Sequence, residues 1–416
     1  MLEFLNKYLC GILLPIAIIV VGIYFAFRLK LFYILHPIKL FKSMCKGGFK
    51  SLSLALAGTL GVGNIVGVAS AIISGGAGAI FWMWISAFIA MSLKYAEVYL
   101  AMKYRQKSVN NEYYGGAPYY IYGGLKNKTN LAKLLSIAFA FLCVINSLTT
   151  GNLVQINAVS DITALPKICI GLLFVAIIIF VIIGGIKRIS TFTSVLMPIL
   201  SVFYVALCVY IIFMNIREIP SVFALIFKEA FSLKCVASGF CGYGIASAIR
   251  FGVSRGLLSN EAGCGTSPTA HASSSTSDIH SQGCLGIFEV FVDTILLCTL
   301  TALVILLYGK NAENPMGLVS NAFSFFTYSV GKYGIIISSL LFALATIACQ
   351  YYYGMESLKY ITSKKKAKAV YTVIFCLTTL LGAMIPMSLM WQISDLALCV
   401  MTLCNLLCLL ALRREI

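Results

Sequence analysis

The sequence predicts an all-α polytopic membrane protein of about eleven transmembrane helices. One extra helix stands at the N-terminus, and two five-helix units of inverted topology follow it. Three observations carry this prediction. Hydrophobic residues make up 60% of the 416 residues and charged residues only 11%, whereas soluble domains are roughly 25% charged. Apolar runs of membrane-spanning length recur along the whole chain, and two glycine-dense stretches lie five runs apart.

Eleven apolar segments are predicted to cross the bilayer. They cover residues 8–27, 51–73, 79–101, 133–157, 168–185, 190–213, 234–255, 283–308, 333–357, 369–386 and 390–411. The first segment is too long for the apolar core of a signal peptide and leads into basic sequence, so we expect it to remain as a helix. The chain then divides into an N-terminal helix with a basic segment, a first five-helix unit, an extracellular segment and a second five-helix unit, over residues 1–50, 51–213, 214–233 and 234–416.

The formal net charge of +17 is distributed unevenly along the chain. If the loop after Arg28 is cytoplasmic, most of the 31 Lys and Arg residues fall on the cytoplasmic side. The exceptions are Lys7, Lys167, Arg217, Lys228, Lys234, Lys310 and Lys332. By the positive-inside rule, the N-terminus is expected outside the cell membrane and the C-terminus in the cytoplasm. This asymmetry accounts for the net charge, and no nucleic-acid partner is needed to explain it.

The first glycine-dense stretch, residues 58–67, lies inside the second predicted span and holds four glycines together with Thr59 and Asn64. Each glycine costs about 1 kcal/mol relative to alanine in a helix. Irregular backbone at membrane depth is tolerated only where it is buried or lines a cavity. We therefore expect a broken helix whose freed backbone groups bind a solute and an ion near the midplane. The alternative is a small-residue packing face of an ordinary helix.

The second glycine-dense stretch, residues 238–244, lies five spans after the first. Because five is an odd number, the second unit enters the membrane from the opposite side. A matched pair of glycine-interrupted segments in two inverted halves indicates the binding site of a secondary transporter. The pairing therefore favours the broken-helix interpretation over simple packing.

Two pairs of polar residues lie within the predicted spans of the first and second units. Asn152 and Gln155 are three apart and are expected on one helix face, either as a wall of a solute cavity or as interhelical hydrogen bonds. Thr346 and Gln350, one turn apart in the ninth span, are expected to share a face as well.

A carboxylate pair, Glu289 and Asp293, lies four residues apart in the eighth span. Charge inside a membrane is costly, so each carboxylate should have a partner or face a cavity. The pair forms a structural ion-pair or polar packing site, or alternatively a proton relay. The three histidines form no metal set, and the chain lacks a Walker A loop, a Gly-x-Ser-x-Gly elbow and a soluble domain large enough for an ATPase. We expect neither an enzyme nor ATP-driven transport by this chain alone.

A series of motifs, taken in order, resembles the alanine or glycine:cation symporter family of the APC superfamily over nearly the whole chain. The motifs are Gly63-Asn64-Ile65, Phe81-Trp82-Met83-Trp84, Gly115-Gly116, Gly184-Gly185-Ile186-Lys187-Arg188, the run from Arg255 to Gly263, Ala270-His271-Ala272, Tyr352-Tyr353-Gly354, Trp391 and Asp395. The resemblance implies a leucine-transporter-like fold and sodium-coupled uptake of alanine or glycine. The expected partners are a small neutral amino acid, sodium and the lipid bilayer, with no obligatory protein partner and no cofactor besides the transported sodium.

The two breaks and the polar spans together give the expected binding residues. The solute is expected to contact Gly61, Gly63, Asn64, Asn152, Gln155, Gly239, Phe240, Gly242 and Gln350. Its carboxylate would meet amides of the first break and its ammonium would meet carbonyls of the second. Sodium is expected on backbone carbonyls or hydroxyls of Thr59, Val62 and Thr346.

Three positions depart from the family's pattern. Val62 replaces a threonine, Ala345 replaces a serine that is a possible sodium ligand, and Gln350 replaces a tryptophan. We expect a roomier and more polar pocket wall at position 350, suited to a solute such as serine or glutamine, unless Tyr351 or a neighbouring aromatic fills the volume. Two other functions stay open: a proton-coupled carrier that uses the carboxylate pair, and a transport-incompetent sensor or a channel. The absence of a soluble signalling domain argues against the sensor.

Overall fold

The computed structural model describes residues 2–109, 111–125, 129–163, 165–232, 244–310, 312 and 314–416. The α-helices of these ranges are α1 Leu2–Leu5, α2 Leu14–Arg28, α3 Phe32–Leu35, α4 Pro37–Met44, α5 Phe49–Thr59, α6 Val68–Gly75, α7 Gly78–Lys103, α8 Ala117–Gly124, α9 Thr129–Leu148, α10 Val154–Ile162, α11 Lys167–Ile182, α12 Gly185–Met214, α13 Ile219–Ala230, α14 Ile245–Asn260, α15 Pro268–Ala272, α16 Ile279–Val290, α17 Thr299–Tyr308, α18 Pro315–Ile361, α19 Lys365–Gly382 and α20 Met387–Ala411. The π-helical segments are Asn6–Leu13, Gly63–Gly67, Thr149–Leu153 and Phe291–Cys298, and a 3-10 turn covers Arg413–Glu415.

The fold is mostly helical, with one small exception to the predicted all-α class. Strands β1 (Gln106–Lys107) and β2 (Tyr113–Tyr114) form an antiparallel hairpin after α7. The guanidinium carbon of Arg105 lies 3.9 Å from the centre of the Tyr113 ring and holds the hairpin against the end of α7. Strands of two residues are too short to show a hydrophobic pattern of their own, so the hairpin could not be predicted from the sequence.

Within the described residues, seven helices are long and apolar enough to cross a membrane. The pair Phe49–Thr59 and Gly63–Gly75, bent by 51° at a short break, adds an eighth span if it is counted as one. Helix α11 is apolar but has only 16 residues, and the start of the predicted span 234–255 lies outside the described residues. The chain is therefore a multi-pass membrane protein, while the count of eleven helices and the inverted repeat stay predictions.

The predicted break in the second span is present. Helix α5 ends at Thr59, and Leu60 leaves the helical conformation with φ −74° and ψ 82°. A Cβ atom on Gly61 would lie 2.6 Å from Gln155 Oε1 and 2.8 Å from Thr346 Oγ1, so any larger residue would push these two side chains out of their present positions. The glycine allows two side chains from other helices to approach the broken backbone.

Helix α7 lies at the centre of the bundle because three neighbouring helices approach it through glycines. A Cβ atom on Gly252 of α14 would lie 2.3 Å from the carbonyl oxygen of Ala79. A Cβ atom on Gly22 of α2 would lie 2.3 Å from a methyl carbon of Ile89, and one on Gly286 of α16 would lie 2.9 Å from a methyl carbon of Val98. Small residues at such contacts are the usual means of close helix packing in membranes.

One end of the bundle contains a cavity of about 1500 Å³. Its lining includes five lysines, which are Lys50, Lys107, Lys187, Lys359 and Lys368. We call this end the basic end. The charge distribution predicts that the basic end is cytoplasmic.

Two arginines that the charge count placed on the cytoplasmic side lie elsewhere. Arg255 Nη1 is 2.8 Å from Asp395 Oδ1, near the start of α20. Arg250 lies beside Gly11, near the start of the first membrane helix and away from the basic end. The predicted span 234–255 ended too early, because α14 continues beyond Arg255 into the bundle. The other basic loops keep the charge asymmetry, and the orientation of the termini stays a prediction.

Lys94 is a third correction to the charge count. Its side chain is completely buried rather than placed on a cytoplasmic surface, and its Nζ lies 3.5 Å from Glu289 Oε1. A charge at this depth requires a partner of opposite sign. Lys94 therefore belongs to the interior of the protein and carries no information on topology.

Candidate functional site

The backbone groups freed by the first break are hydrogen-bonded to neutral side chains from two other helices. The N–H of Val62 donates to Gln155 Oε1 at 2.9 Å, and Thr346 Oγ1 donates to the carbonyl of Leu60 at 3.3 Å. Gln155 comes from α10 and Thr346 from α18. Since all of these residues are buried, lipid does not reach the broken backbone, as membrane depth requires.

Gln350 extends this site along α18. Its Nε2 donates to Glu261 Oε1 at 2.8 Å and to the carbonyl of Gly58 at 3.4 Å. Thr346 and Gln350 therefore do face the same side, as their spacing predicted. Within the described residues, Gln350 Oε1 has no hydrogen-bond partner although it is buried. Gly151 allows this packing, because a Cβ atom there would lie 2.5 Å from Gln350 Cβ.

The oxygen atoms near the break differ in whether they already take part in hydrogen bonds within their own helix. The hydroxyl of Thr59 donates back to the carbonyls of Ala55 and Leu56 in its own helix. The carbonyl of Val62 accepts from the N–H groups of the third and fourth residues after it, at 3.0 and 2.7 Å. The carbonyl of Leu60 and the hydroxyl of Thr346 are bonded to each other across the break, and carbonyls of an unwound helix are of the kind that coordinates sodium.

No group of three or more His, Cys, Asp or Glu side chains suited to a metal ion occurs in the described part of the chain. Transition metals are usually held by such groups. The oxygen atoms at the break are instead carbonyl and hydroxyl groups, which suit a hard monovalent ion.

Gln155 and Asn152 do not meet at one site. Gln155 is at the break, whereas Asn152 Nδ2 donates to the carbonyl of Phe375 at 2.9 Å, and Asn152 Oδ1 accepts from Thr379 Oγ1 at 3.0 Å. The reason is the π-helical segment Thr149–Leu153, which changes the rotation per residue so that a spacing of three no longer gives one face. Asn152 makes the interhelical hydrogen bonds that were the alternative interpretation, and its role in solute binding stays a prediction.

Asn64 joins the broken helix to the second half of the chain. Its Nδ2 donates to Ser259 Oγ at 2.9 Å and to Asp293 Oδ1 at 2.8 Å. Asp293 Oδ2 in turn accepts from Ser259 Oγ at 2.8 Å and from Thr294 Oγ1 at 2.7 Å. Gly63 brings the backbone of the break close to Ser259, because a Cβ atom on Gly63 would lie 3.4 Å from Ser259 Cα. Asn64 Oδ1 is buried and has no partner among the described residues.

The two carboxylates of the eighth span have separate partners. Glu289 Oε2 lies 2.9 Å from His271 Nε2, and Glu289 Oε1 faces Lys94. Asp293 forms no ion pair with any residue that the structure describes. The π-helical segment Phe291–Cys298 begins between them and changes their relative rotation. Glu289 therefore forms a structural ion pair, which was one of the two interpretations of the carboxylate pair. Asp293 accepts hydrogen bonds from neutral groups alone among the residues that the structure describes.

Three charged residues of the interior were missed as site candidates. Lys94 and Glu97 lie inside the predicted span 79–101, and charge within a span was the signal that could have found them. Glu97 Oε1 accepts from Asn405 Nδ2 at 2.5 Å, and its Oε2 accepts from the N–H of Gly263 at 3.1 Å. Glu261, after α14, could be found only from the structure, because it lies in a loop that the sequence places outside the spans.

The expected residues of the second break, Gly239, Phe240 and Gly242, lie outside the described residues. The ion pair between Arg255 and Asp395 lies on the following helix, and the Arg255 guanidinium is also 4.4 Å from the centre of the Trp391 ring. These contacts join α14 to α20 away from the basic end.

A bent membrane helix whose freed backbone groups are held by side chains from α10 and α18 is typical of a secondary transporter. The chain belongs to the sodium:alanine symporter family, whose family model matches residues 1–416. The resemblance found from the motifs is thereby confirmed.

Individual relatives agree with this assignment. The chain is 38% identical over 373 residues to the sodium/alanine symporter AgcS of Methanococcus maripaludis, covering 88% of this chain and 81% of the relative. It is 33% identical over 430 residues to the probable sodium/glutamine symporter GlnT of Bacillus subtilis, covering 99% and 87%. The crystal structure of MhsT in complex with L-phenylalanine is similar with a TM-score of 0.59 and 14% identity, covering 86% of this chain and 87% of that chain. This structural similarity supports the leucine-transporter-like fold.

Proposed function

We propose that the protein is a secondary active transporter that carries a small neutral amino acid, alanine or glycine, into the cell together with sodium. The observation that carries the proposal is the break between Thr59 and Gly63, where Gln155 and Thr346 bond to freed backbone groups. The names of two relatives, a sodium/alanine symporter and a probable sodium/glutamine symporter, support the same class of solute and ion.

The carboxylate of the amino acid would bind at the N–H of Val62. This group stands at the start of the helical segment that follows the break, where the helix dipole favours a negative charge. In the structure the N–H is bonded to the neutral amide oxygen of Gln155. A carboxylate would make a stronger, charge-assisted bond and would displace it. Gln155 is then free to bond to the solute from α10.

Sodium would bind between the carbonyl of Leu60 and the hydroxyl of Thr346, and so join α5 to α18. The amino acid and the sodium ion would then occupy opposite sides of the same break. Each would stabilise the same arrangement of the backbone, so binding of one increases the affinity for the other. Coupling of solute and ion follows from this shared arrangement, without any covalent step.

Alternating access would use the two ends of the bundle in turn. In this arrangement Arg255 and Asp395 join α14 to α20, while a cavity is present at the basic end. With the basic end in the cytoplasm, the structure corresponds to a state that faces inward. Opening to the outside would separate this ion pair and close the cavity, with the ten predicted helices of the two inverted units moving against one another.

The direct experiment is uptake of radiolabelled alanine and glycine into proteoliposomes. Uptake should require an inward sodium gradient, should stop when choline replaces sodium, and should continue when a protonophore is added. Uptake that persists in choline and is abolished by the protonophore would contradict sodium coupling.

A proton-coupled carrier is the second candidate, and Asp293 is the observation that favours it. Its buried carboxylate faces Asn64, Ser259 and Thr294 without an ion pair in the described part of the chain. Such a carboxylate could take a proton or a cation. If protons drive transport, Asp293→Asn should abolish concentrative uptake but leave exchange of labelled for unlabelled solute intact. In a channel, unlabelled solute on the other side would not speed the entry of labelled solute. The solute would also not accumulate above its equilibrium concentration.

A further inference from the structure

Buried side chains connect the ion pair of the interior to the start of the broken helix. Glu289 Oε2 is 2.9 Å from His271 Nε2, and His271 Nδ1 is 2.6 Å from Gln282 Nε2. Gln282 also contacts Gly48 and Ser51, the residues at the start of α5. We call this set, Glu289, His271, Gln282, Ser51 and Gly48, the His271 relay.

The backbone fixes the direction of every hydrogen bond in the relay. The N–H of Gly48 is necessarily a donor, so the atom of Gln282 that lies 3.0 Å from it is the amide oxygen. The NH₂ group of Gln282 therefore points to Ser51 Oγ at 2.9 Å and to His271 Nδ1. Ser51 Oγ donates to the carbonyl of Gly48 at 2.8 Å and accepts from Gln282. His271 Nδ1 must then be an acceptor without a proton, and its Nε2–H donates to Glu289.

A proton added to His271 is incompatible with these bonds. The imidazolium carries an N–H at both nitrogens, so its Nδ1–H would face the NH₂ group of Gln282. Rotation of the amide by half a turn would relieve this conflict, but the NH₂ group would then face the N–H of Gly48. In either case two donors meet in a buried place, where an unsatisfied polar group is costly.

We infer that His271 is a proton-binding site whose occupancy determines whether the start of α5 remains bonded to α16. Gly48 and Ser51 line the cavity at the basic end, and α5 leads from them directly to the break. Protonation of His271 would therefore loosen the first turn of the broken helix beside the cavity. This inference concerns the chain's own hydrogen bonds and does not depend on which solute or cation is transported.

The charges near His271 act in opposite directions. Glu289 attracts a proton to His271, and Lys94, bound to the same carboxylate, repels one. The titratable and charged groups that interact with the Glu289 carboxylate include Lys94, Glu97, Glu261, Asp293 and Tyr353. Arg105, on the C-terminal side of α15, donates to the carbonyl of Ser274.

The test is hydrogen–deuterium exchange of the purified protein in detergent, followed on peptides that cover the first turns of α5. Protection factors, corrected for intrinsic exchange, should fall about fivefold in the wild type between about pH 8 and pH 5, because one buried bond is lost in the range where histidine titrates. His271→Asn retains an acceptor near the Nδ1 position but cannot titrate there, so protection should stay high at both values.

Gln282→Glu is the second variant, and it removes the NH₂ group that would face the Nδ1–H of a protonated His271. A carboxylate accepts from the N–H of Gly48 and from a protonated His271 at once, so protection should again be independent of pH. His280→Gln is the matched control on the same helix α16, since His280 bonds to the hydroxyl of Tyr95 at 2.7 Å and takes no part in the relay. It should keep the wild-type pH dependence. Equal wild-type protection at both pH values, or unchanged pH dependence in His271→Asn, would overturn the inference.

Discussion

The break at Leu60 to Asn64 and the ion pair of Lys94 with Glu289 are both polar, buried and linked to the broken helix, yet they are built in opposite ways. At the break, the N–H of Val62 and the carbonyl of Leu60 are each held by a neutral side chain. A neutral bond of this kind contributes about 1 kcal/mol net and can be exchanged for a ligand. The ion pair consists of full charges that no ligand can replace without leaving a charge unpaired. The difference separates an exchangeable site from a permanent one.

The largest effect is expected at the permanent site. Lys94→Met would leave Glu289 buried without its cation and should lower the free energy of unfolding by about 3–5 kcal/mol. The measurement is the monodisperse yield and the thermal unfolding of the purified protein. Lys103→Met, at the exposed end of the same helix, should change stability by less than about 1 kcal/mol, because its partner Glu415 is also exposed. Wild-type unfolding of Lys94→Met would remove the distinction between the two regions.

The exchangeable site should respond in function more than in stability. Gln155→Leu removes the side chain that bonds Val62 and, in our proposal, the solute, so alanine uptake per folded molecule should fall about tenfold or more. The matched change is Asn152→Leu, which breaks bonds to α19. It should lower the melting temperature while uptake per folded molecule stays within about twofold of the wild type, if the hydrogen bonds of Asn152 are interhelical. The reverse pattern would place the solute beside Asn152.

Position 350 tests where the exchangeable site ends. Gln350 bonds to Glu261 and Gly58, whereas Tyr351 bonds to Thr372 of α19 at 2.8 Å. Tyr351 therefore does not fill the space beside Gln350. Gln350→Trp should exclude larger solutes, so serine and glutamine should compete for alanine uptake several-fold less well than in the wild type. An identical ranking of neutral amino acids in both proteins would show that position 350 does not set specificity.

The smallest effect is expected at the start of α16, the helix that carries Gln282 and Glu289. Hydrogen bonds from the side chain and the backbone N–H of Ser281 hold the pKa of Asp278 below its usual range. Because this pKa is lowered on folding, the stabilisation is present above the ordinary aspartate pKa of about 3.9 and is lost as the pH falls through the folded value. Asp278→Ala should cost about 1 kcal/mol at neutral pH. Thermal unfolding should show the difference from wild type narrowing in acid.

The sequence predicted the features that depend on composition and on glycine. The apolar segments, the break near Gly61 and the shared face of Thr346 and Gln350 all follow from hydropathy, backbone freedom and the 3.6-residue period. The sequence could not predict features that depend on a change of that period. The π-helical segments Thr149–Leu153 and Phe291–Cys298 separate pairs that a regular helix would bring together, and no local signal marks them.

Long-range pairing of charges was equally hidden. Lys94 was counted as a cytoplasmic residue because it lies near the end of an apolar run, and its partner Glu289 is far away in sequence. His271 was named only as part of a family motif and was excluded from a metal set, because its bonds to Gln282 and Glu289 require the folded chain. These contacts are set by the packing of α7, α15 and α16, which no single segment encodes.

The central claim is that sodium and the amino acid bind together at one break, and equilibrium binding of labelled alanine tests it most directly. In the wild type, raising sodium at constant ionic strength should increase alanine affinity about tenfold, a typical coupling of 1–2 kcal/mol. Thr346→Val removes the hydroxyl beside the Leu60 carbonyl and should abolish this increase while leaving the sodium-free affinity unchanged. Thr59→Val, whose hydroxyl bonds only within α5, should behave as the wild type. A full sodium effect in Thr346→Val would contradict the account.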